Sequence, residues 1–224
     1  MRWDLLLLFR HGMAGVSLGL AVVYGLVLYY FRDAVTEEVI VLLVFSDPVM
    51  MGFIFIGAIV LLEKDAGTFQ ALIVNPLKTW QYLISKAICL TFLALPVVFA
   101  IMAVSVAPVG NLFSLIAGVL LTSVFFVFIG FSGAARVSTF NQYIIVVPVL
   151  LLPLCLPLLT LVMGRHSFLW YLVPTQAALD LMLRSFGPIQ GIPTILLTAY
   201  LSLWILAAYI IAEYSFNKYI KLKP

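Results

Sequence analysis

Charge is scarce in this sequence. Of its 224 residues only 9% are Asp, Glu, Lys or Arg, while 65% are hydrophobic. A soluble domain usually carries about a quarter charged residues, because its surface must face water. A chain this apolar could not hide its side chains in one core, which excludes a water-soluble globular domain. Cysteine is nearly missing too. Cys89 and Cys155 both fall inside apolar runs and read as small buried hydrophobes, which excludes a disulfide framework or a thiolate metal site. The two histidines, His11 and His166, lie near opposite ends of the expected topology and cannot share a metal. No GxxxxGK[ST] phosphate loop, HExxH or GxSxG is present. Ser132-Gly133 has no acid or histidine at comparable depth, so intramembrane proteolysis has no support. The chain therefore reads as no enzyme, with no catalytic residue, no metal and no cofactor of its own. The apolar stretch before Arg10, Leu5 to Phe9, is too short for a signal peptide and lacks a small-residue cleavage site, so none is expected to be removed.

The net charge of +3 does not point to nucleic acid, because the basic residues sit at the ends of apolar runs rather than in one patch. Those runs are what the sequence has in abundance, and its mean hydropathy is +1.21. In hydrocarbon every backbone polar group needs an internal partner, which leaves helices or a closed barrel. Barrel strands alternate over about ten residues; these runs are continuous and longer. The expected fold is all-α, a single polytopic membrane domain over residues 1–224. About 20 apolar residues are needed per crossing. Six segments qualify: Gly12–Phe31, Val39–Leu62, Ala87–Ala107, Leu112–Phe131, Tyr143–Met163 and Ile192–Ala212. Pro108-Val109-Gly110-Asn111 is a tight turn that makes the third and fourth spans antiparallel neighbours. With the N-terminus inside, nine of the twelve Lys and Arg residues fall on cytoplasmic segments, and only Arg32, Arg165 and Arg184 fall outside. Both termini are thus expected in the cytoplasm of a cell-membrane protein.

Two spans are interrupted. In the second, Ser46-Asp47-Pro48 places two N-cap residue types before a proline, as at a helix start. On that favoured reading Val39–Phe45 is a partly re-entrant lead-in and Asp47 is a cap. The other reading is a continuous, kinked helix with Asp47 as an intramembrane polar site. The fifth span carries Pro148, Pro153 and Pro157, each of which removes a helix hydrogen bond and should bend or unwind it. Broken helices line cavities in transport proteins, and proline is also simply commoner in membrane helices.

The loop from Glu63 to Lys86 holds five of the 21 charged residues. Thr68 can cap a short helix with Phe69, Leu72 and Ile73 on one face. Asn75-Pro76 ends it and starts the helix that carries Tyr82 and Lys86 into the third span. The expected result is an amphipathic elbow on the cytoplasmic surface that a soluble partner could grip. Glu63 and Lys64 read either as an ordinary charged boundary at the membrane surface or as part of that coupling device.

At these residues the sequence resembles the type-2 ATP-binding-cassette permease family. The matching pattern is Glu63, Lys64, Gly67, Thr68, Pro76, Leu77, Tyr82 and Lys86. The resemblance covers the whole chain: six spans, an amphipathic N-terminal segment, and a stretch from Leu169 to Phe186 that looks like the family's outer-face helical insertion. There Pro174-Thr175 would start a helix bearing Asp180 and Arg184 four apart. Phe45-Ser46-Asp47-Pro48, Gly57 and Leu62-Glu63-Lys64 look especially like permeases of the fluoroquinolone-export type. The resemblance implies a permease that pairs with a second copy or close relative, as a homodimer or heterodimer. It implies that separate nucleotide-binding ATPase subunits, carrying ATP and Mg, engage Glu63, Lys64, Gly67, Thr68, Phe69, Leu72, Pro76 and Lys78. It favours export, since no segment looks built to receive a binding protein outside. The aromatic-rich spans, with 17 Phe and 10 Tyr in the chain, suit apolar or amphipathic cargo, drugs among them, and equally suit lipid contact. The rival functions are an ion-gradient secondary transporter, for which Asp47 is the one qualifying acid, and a membrane anchor or assembly factor that transports nothing.

Overall fold

The computed structural model describes residues 12–32, 35–69, 78–105, 110–163, 168–187 and 192–221. The order is α1 (Met13–Tyr30), α2 (Glu37–Met50), a π turn (Met51–Phe55), α3 (Ile56–Asp65), α4 (Thr79–Val104), α5 (Leu112–Arg136), α6 (Phe140–Cys155), α7 (Leu158–Met163), a 3-10 turn (Phe168–Leu172), α8 (Pro174–Leu183), α9 (Thr194–Phe216) and a closing π turn (Asn217–Lys221). The protein is an all-α, polytopic membrane protein. Among the described residues, four helical stretches are individually long and apolar enough to cross a bilayer: Met13–Tyr30, Thr79–Val104, Leu112–Arg136 and Thr194–Lys221. At 1.5 Å per residue, α4 alone reaches about 39 Å.

Helix α5 is the centre of the bundle. It packs against α2, α3, α4, α6, α8 and α9, and α1 docks on α4 at the periphery. Its own side chains explain this position: Gly118, Ser123, Gly130, Ser132 and Gly133 let neighbouring backbones approach, while Phe125, Phe126, Phe128 and Phe131 fill the space between. Small residues at contact positions are how membrane helices associate where hydrophobicity gives no preference between lipid and protein. Asn111 caps the helix by accepting from the Ser114 amide at 3.2 Å. The amides of Gly110 and Asn111 donate to the Ser185 carbonyl, tying this turn to the end of α8. Residues 106–109 of that turn and the N-terminal segment 1–11 lie outside the described residues.

Two sequence expectations change. The second span has no helix start at Asp47: α2 begins ten residues earlier at Glu37 and runs through Ser46-Asp47-Pro48. Past Pro48 the helix winds wide as a π turn from Met51, and the chain re-enters α-geometry at Ile56. The cap reading of Asp47 therefore fails on the backbone and the continuous, distorted helix holds; the side chains of 47–51 lie outside the description. In the fifth span α6 passes Pro148 and Pro153 without a break and ends only at Leu156-Pro157. The hydroxyl of Thr175 donates to the Leu154 carbonyl at 2.5 Å and that of Thr160 to the Pro157 carbonyl at 2.7 Å, giving partners to backbone freed at the break. The insertion between the fifth and sixth spans is helical as expected: Pro174 opens it, and every residue from Pro174 to Met182 is buried, packed against α5 and α9.

Candidate functional site

Helix α3 delivers Glu63, Lys64 and Asp65 to one end of the bundle and then stops. Its ladder closes with the Ala66 amide on the Leu62 carbonyl and the Gly67 amide on the Lys64 carbonyl at 3.0 Å. Gly67 has φ of 66°, a left-handed conformation that glycine adopts without the penalty a side chain incurs. The chain turns there, and Thr68 and Phe69 begin a new helical turn. Leu72, Ile73 and Pro76 of the expected elbow lie outside the described residues. Lys78 stands exposed at the start of α4, where its backbone amide bonds the Gln81 side chain.

Glu63 and Lys64 leave the helix in opposite directions. Glu63 is buried at 8% exposure. One carboxylate oxygen meets Lys86 Nζ at 2.5 Å and the other accepts from the Tyr82 hydroxyl at 2.5 Å. Tyr82 and Lys86 stand four apart on α4, so one helix face presents both, and the ammonium lies 5.4 Å from the Tyr82 ring centre. Lys64 reaches instead to the end of α5, donating to the carbonyls of Ala134, Ala135 and Val137 at 2.8–3.0 Å. It forms a cationic collar on a helix C-terminus whose carbonyls have no intrahelical partner. Phe69 joins Tyr82, Phe131 and Phe216 in an aromatic cluster beneath the turn. Two consecutive residues thus fasten α3 to α4 and α5, immediately before the elbow.

A pocket of about 350 Å³ opens at this end, lined by Lys64, Asp65, Arg136, Ser138 and Tyr219 among others. Lys64 and Arg136 thus share one end of the molecule with the last π turn. Replacing Lys64 with Met keeps the stem but removes three charge-assisted bonds. We expect a loss of about 1.5–3 kcal/mol in reversible unfolding in detergent, with Lys64→Arg retaining most of it.

The upper end of α3 is held by Tyr143, the largest fully buried side chain. Its hydroxyl donates to the Phe53 carbonyl at 2.6 Å, within the π turn, and lies 3.3 Å from the Gly130 carbonyl. The ring stacks on Phe53 and occupies the space a side chain on Gly57 would need: a Cβ there would lie 2.0 Å from the ring. A Cβ on Gly130 would meet Ile56 at 2.7 Å and Phe53 backbone at 3.0 Å. Tyr143→Phe keeps the ring and strands the Phe53 carbonyl, for an expected loss of about 1–3 kcal/mol by the same unfolding measurement.

On α8 the sequence reading missed a buried acid. Asp180 is 7% exposed, accepts from the Tyr171 hydroxyl, and accepts from Gln176 Nε2 at 3.0 Å. Gln176 in turn receives the Thr160 hydroxyl at 3.3 Å. Burial and the neighbouring carboxylate push the Tyr171 phenol up to about 12, so it remains a donor at physiological pH. Arg184, four residues on, has its Nε buried without a hydrogen-bond partner, and its charge works against the rise of the Tyr171 phenol. A polar QxxxD spacing inside an apolar stretch was the available signal.

A family model described as the fluoroquinolones export permease protein family matches residues 1–223. Two curated proteins from different strains of Mycobacterium tuberculosis, each named a fluoroquinolones export permease protein, are 30% identical over 154 residues. That alignment covers 66% of this chain and spans 63% of the length of those relatives. With the family match running almost end to end on an all-α membrane bundle, the chain belongs to the fluoroquinolones export permease protein family.

Proposed function

We propose that this chain is the transmembrane subunit of an ATP-binding-cassette exporter. It moves an apolar or amphipathic substrate across the cell membrane with ATP hydrolysed, on Mg, by a separate nucleotide-binding subunit. One observation carries the reading. The elbow that a partner would push follows directly on Glu63 and Lys64, and these residues fasten α3 to α4 through a buried ion pair and to α5 through charge-assisted hydrogen bonds to carbonyls. Force applied after Gly67 therefore enters three helices at once. The tight fit of Gly57 against Tyr143 carries it onward to α6. In this topology six spans place both termini and the elbow in the cytoplasm.

A second permease copy, identical or related, completes the pathway. Helix α6 buries only Tyr143 and Leu151 inside this chain and leaves Ile144, Ile145, Val149 and Leu152 at least half exposed, a face that suits such a copy. Membrane lipid covers what remains.

The test is co-purification. A soluble ATPase carrying a phosphate loop should be retained by the tagged chain, and a cysteine placed at exposed Thr68 should cross-link to it. Cross-linking at Phe168 but not at Thr68 would reverse the orientation, and retention of no ATPase would favour a gradient-driven transporter or an anchor.

A further inference from the structure

The pocket of about 350 Å³ beside Lys64 lies between the turn after α3, the end of α5 and the closing π turn. Its volume is at the small end of the range of ligand sites. Phe69 and Ile220 give it a buried apolar lining, while Asp65, Arg136 and Ser138 stand exposed and Tyr219 half-buried around them.

Charge at this site is mostly positive. Lys64 and Arg136 line the pocket against one acid, Asp65. Lys218 and Lys221 stand exposed on the adjoining π turn, and Lys218 is close enough to Arg136 for their charges to interact. The bare end of α5 would oppose an anion, since its last carbonyls carry partial negative charge. Lys64 removes that obstacle by donating to the carbonyls of Ala134, Ala135 and Val137. Arg136 is then the cation left to meet a ligand: among the described residues it forms no ion pair with an acid. Ser138 and Tyr219 add hydroxyl donors.

The surroundings tell which anion fits. The Thr79 hydroxyl lies 3.4 Å from Asn217 Oδ1, bringing the start of α4 beside the π turn. Trp80 and Tyr214 are each about half exposed there, and Lys218 Nζ sits 5.4 Å from the Tyr214 ring centre and 5.5 Å from that of Tyr219. Exposed Trp and Tyr among lysines at the ends of spanning helices mark the level of the lipid headgroups. Basic pockets between helices at that level take anionic headgroups.

We propose that this pocket binds the phosphate of an anionic phospholipid, with Arg136 as its ion-pair partner, Ser138 and Tyr219 as hydroxyl donors, and Phe69 and Ile220 against the glycerol carbons. The proposal goes beyond the transport reading and depends on neither ATP nor the direction of transport.

The test is equilibrium binding of two tail-labelled lipids with identical chains, phosphatidylglycerol and phosphatidylcholine, to the purified full chain in detergent. Phosphatidylglycerol should bind more tightly, and the preference should shrink as salt is raised. Arg136→Gln should weaken phosphatidylglycerol about fivefold and leave phosphatidylcholine unchanged. Ser138→Trp obstructs the pocket and keeps every charge, so it should also weaken phosphatidylglycerol, whereas a diffuse field would not register it. If that variant does not accumulate, Arg136→Lys decides: it keeps the charge, loses the two-pronged grip on phosphate, and should fall between wild type and Arg136→Gln. Inorganic phosphate and glycerophosphoglycerol, which lack acyl chains, should displace the labelled lipid only at far higher concentration. Equal affinity for the two lipids, or a preference unmoved by Arg136→Gln, would overturn the proposal and leave these charges to an acidic protein partner. A preference unmoved by Ser138→Trp, or by Arg136→Lys in its place, would overturn the pocket as the site. Displacement by inorganic phosphate as effective as by unlabelled lipid would overturn the lipid as the ligand.

Discussion

Replacing Lys86 with Met should destabilise the protein by about 3–5 kcal/mol, while Glu63→Gln combined with Lys86→Met should recover most of that loss. The reasoning is electrostatic. Glu63 and Lys86 side chains are 11% and 5% exposed, and their 2.5 Å contact compensates two charges withdrawn from water. Removing the ammonium leaves a buried carboxylate held by the Tyr82 hydroxyl, and breaking one partner of such a pair is what costs most. Removing both charges abolishes the desolvation penalty together with the attraction. A double variant as unstable as the single one would show that packing around Tyr82, rather than charge, holds this end. The functional readout should diverge from the stability readout. With α3 no longer fastened to α4, the double variant should fold yet transport poorly per ATP hydrolysed.

Gly57→Ala should be the most damaging small substitution in the chain. An added methyl would overlap the Tyr143 ring at 2.0 Å, and that ring has little room to retreat. It is 1% exposed, stacked on Phe53 and tethered by its hydroxyl to the π turn. Overpacking ordinarily costs about 1–3 kcal/mol; here the clash is with a tethered ring, and we expect the upper end of that range or failure to accumulate. Two comparisons isolate the cause. Gly19→Ala, in a helix position with nothing within 4 Å, should be neutral or stabilise by up to about 1 kcal/mol through helix propensity. Gly57→Ala in a Tyr143→Ala background should add almost nothing to the loss from Tyr143→Ala alone, measured by thermal unfolding in detergent. Additive losses in the pair would mean that Gly57 matters for another reason.

Much of this arrangement is legible in the residues, and the rest is not for identifiable reasons. Continuous apolar runs announce the helices, since no other backbone arrangement satisfies their polar groups in hydrocarbon. Gly67 after Glu63-Lys64 announces a helix end, because that signal is local. The contacts that fasten the ends are not local. Lys64 meets carbonyls some seventy positions away, and Tyr143 meets Phe53 at a separation of ninety, so neither appears in any pattern of spacing. Asp47-Pro48 carries the signature of a helix start, yet the helix runs through it and only widens into a π turn three residues later. Pro148 and Pro153 likewise leave α6 unbroken. The helix bearing Asp180 is marked by Pro174-Thr175, but its burial is not, since that depends on space made by Gly118 of α5, whose absent side chain admits Met182 and Leu181.

The most direct measurement is transport of a labelled substrate into inside-out vesicles containing this chain and the ATPase subunit proposed for it, with Glu63 and Lys86 intact or replaced. Uptake should require ATP, persist when ion gradients are collapsed, and fall in the Glu63→Gln/Lys86→Met variant while ATP hydrolysis continues. Uptake that survives without ATP and vanishes with the ion gradient would contradict the assignment of this chain to an ATP-driven exporter.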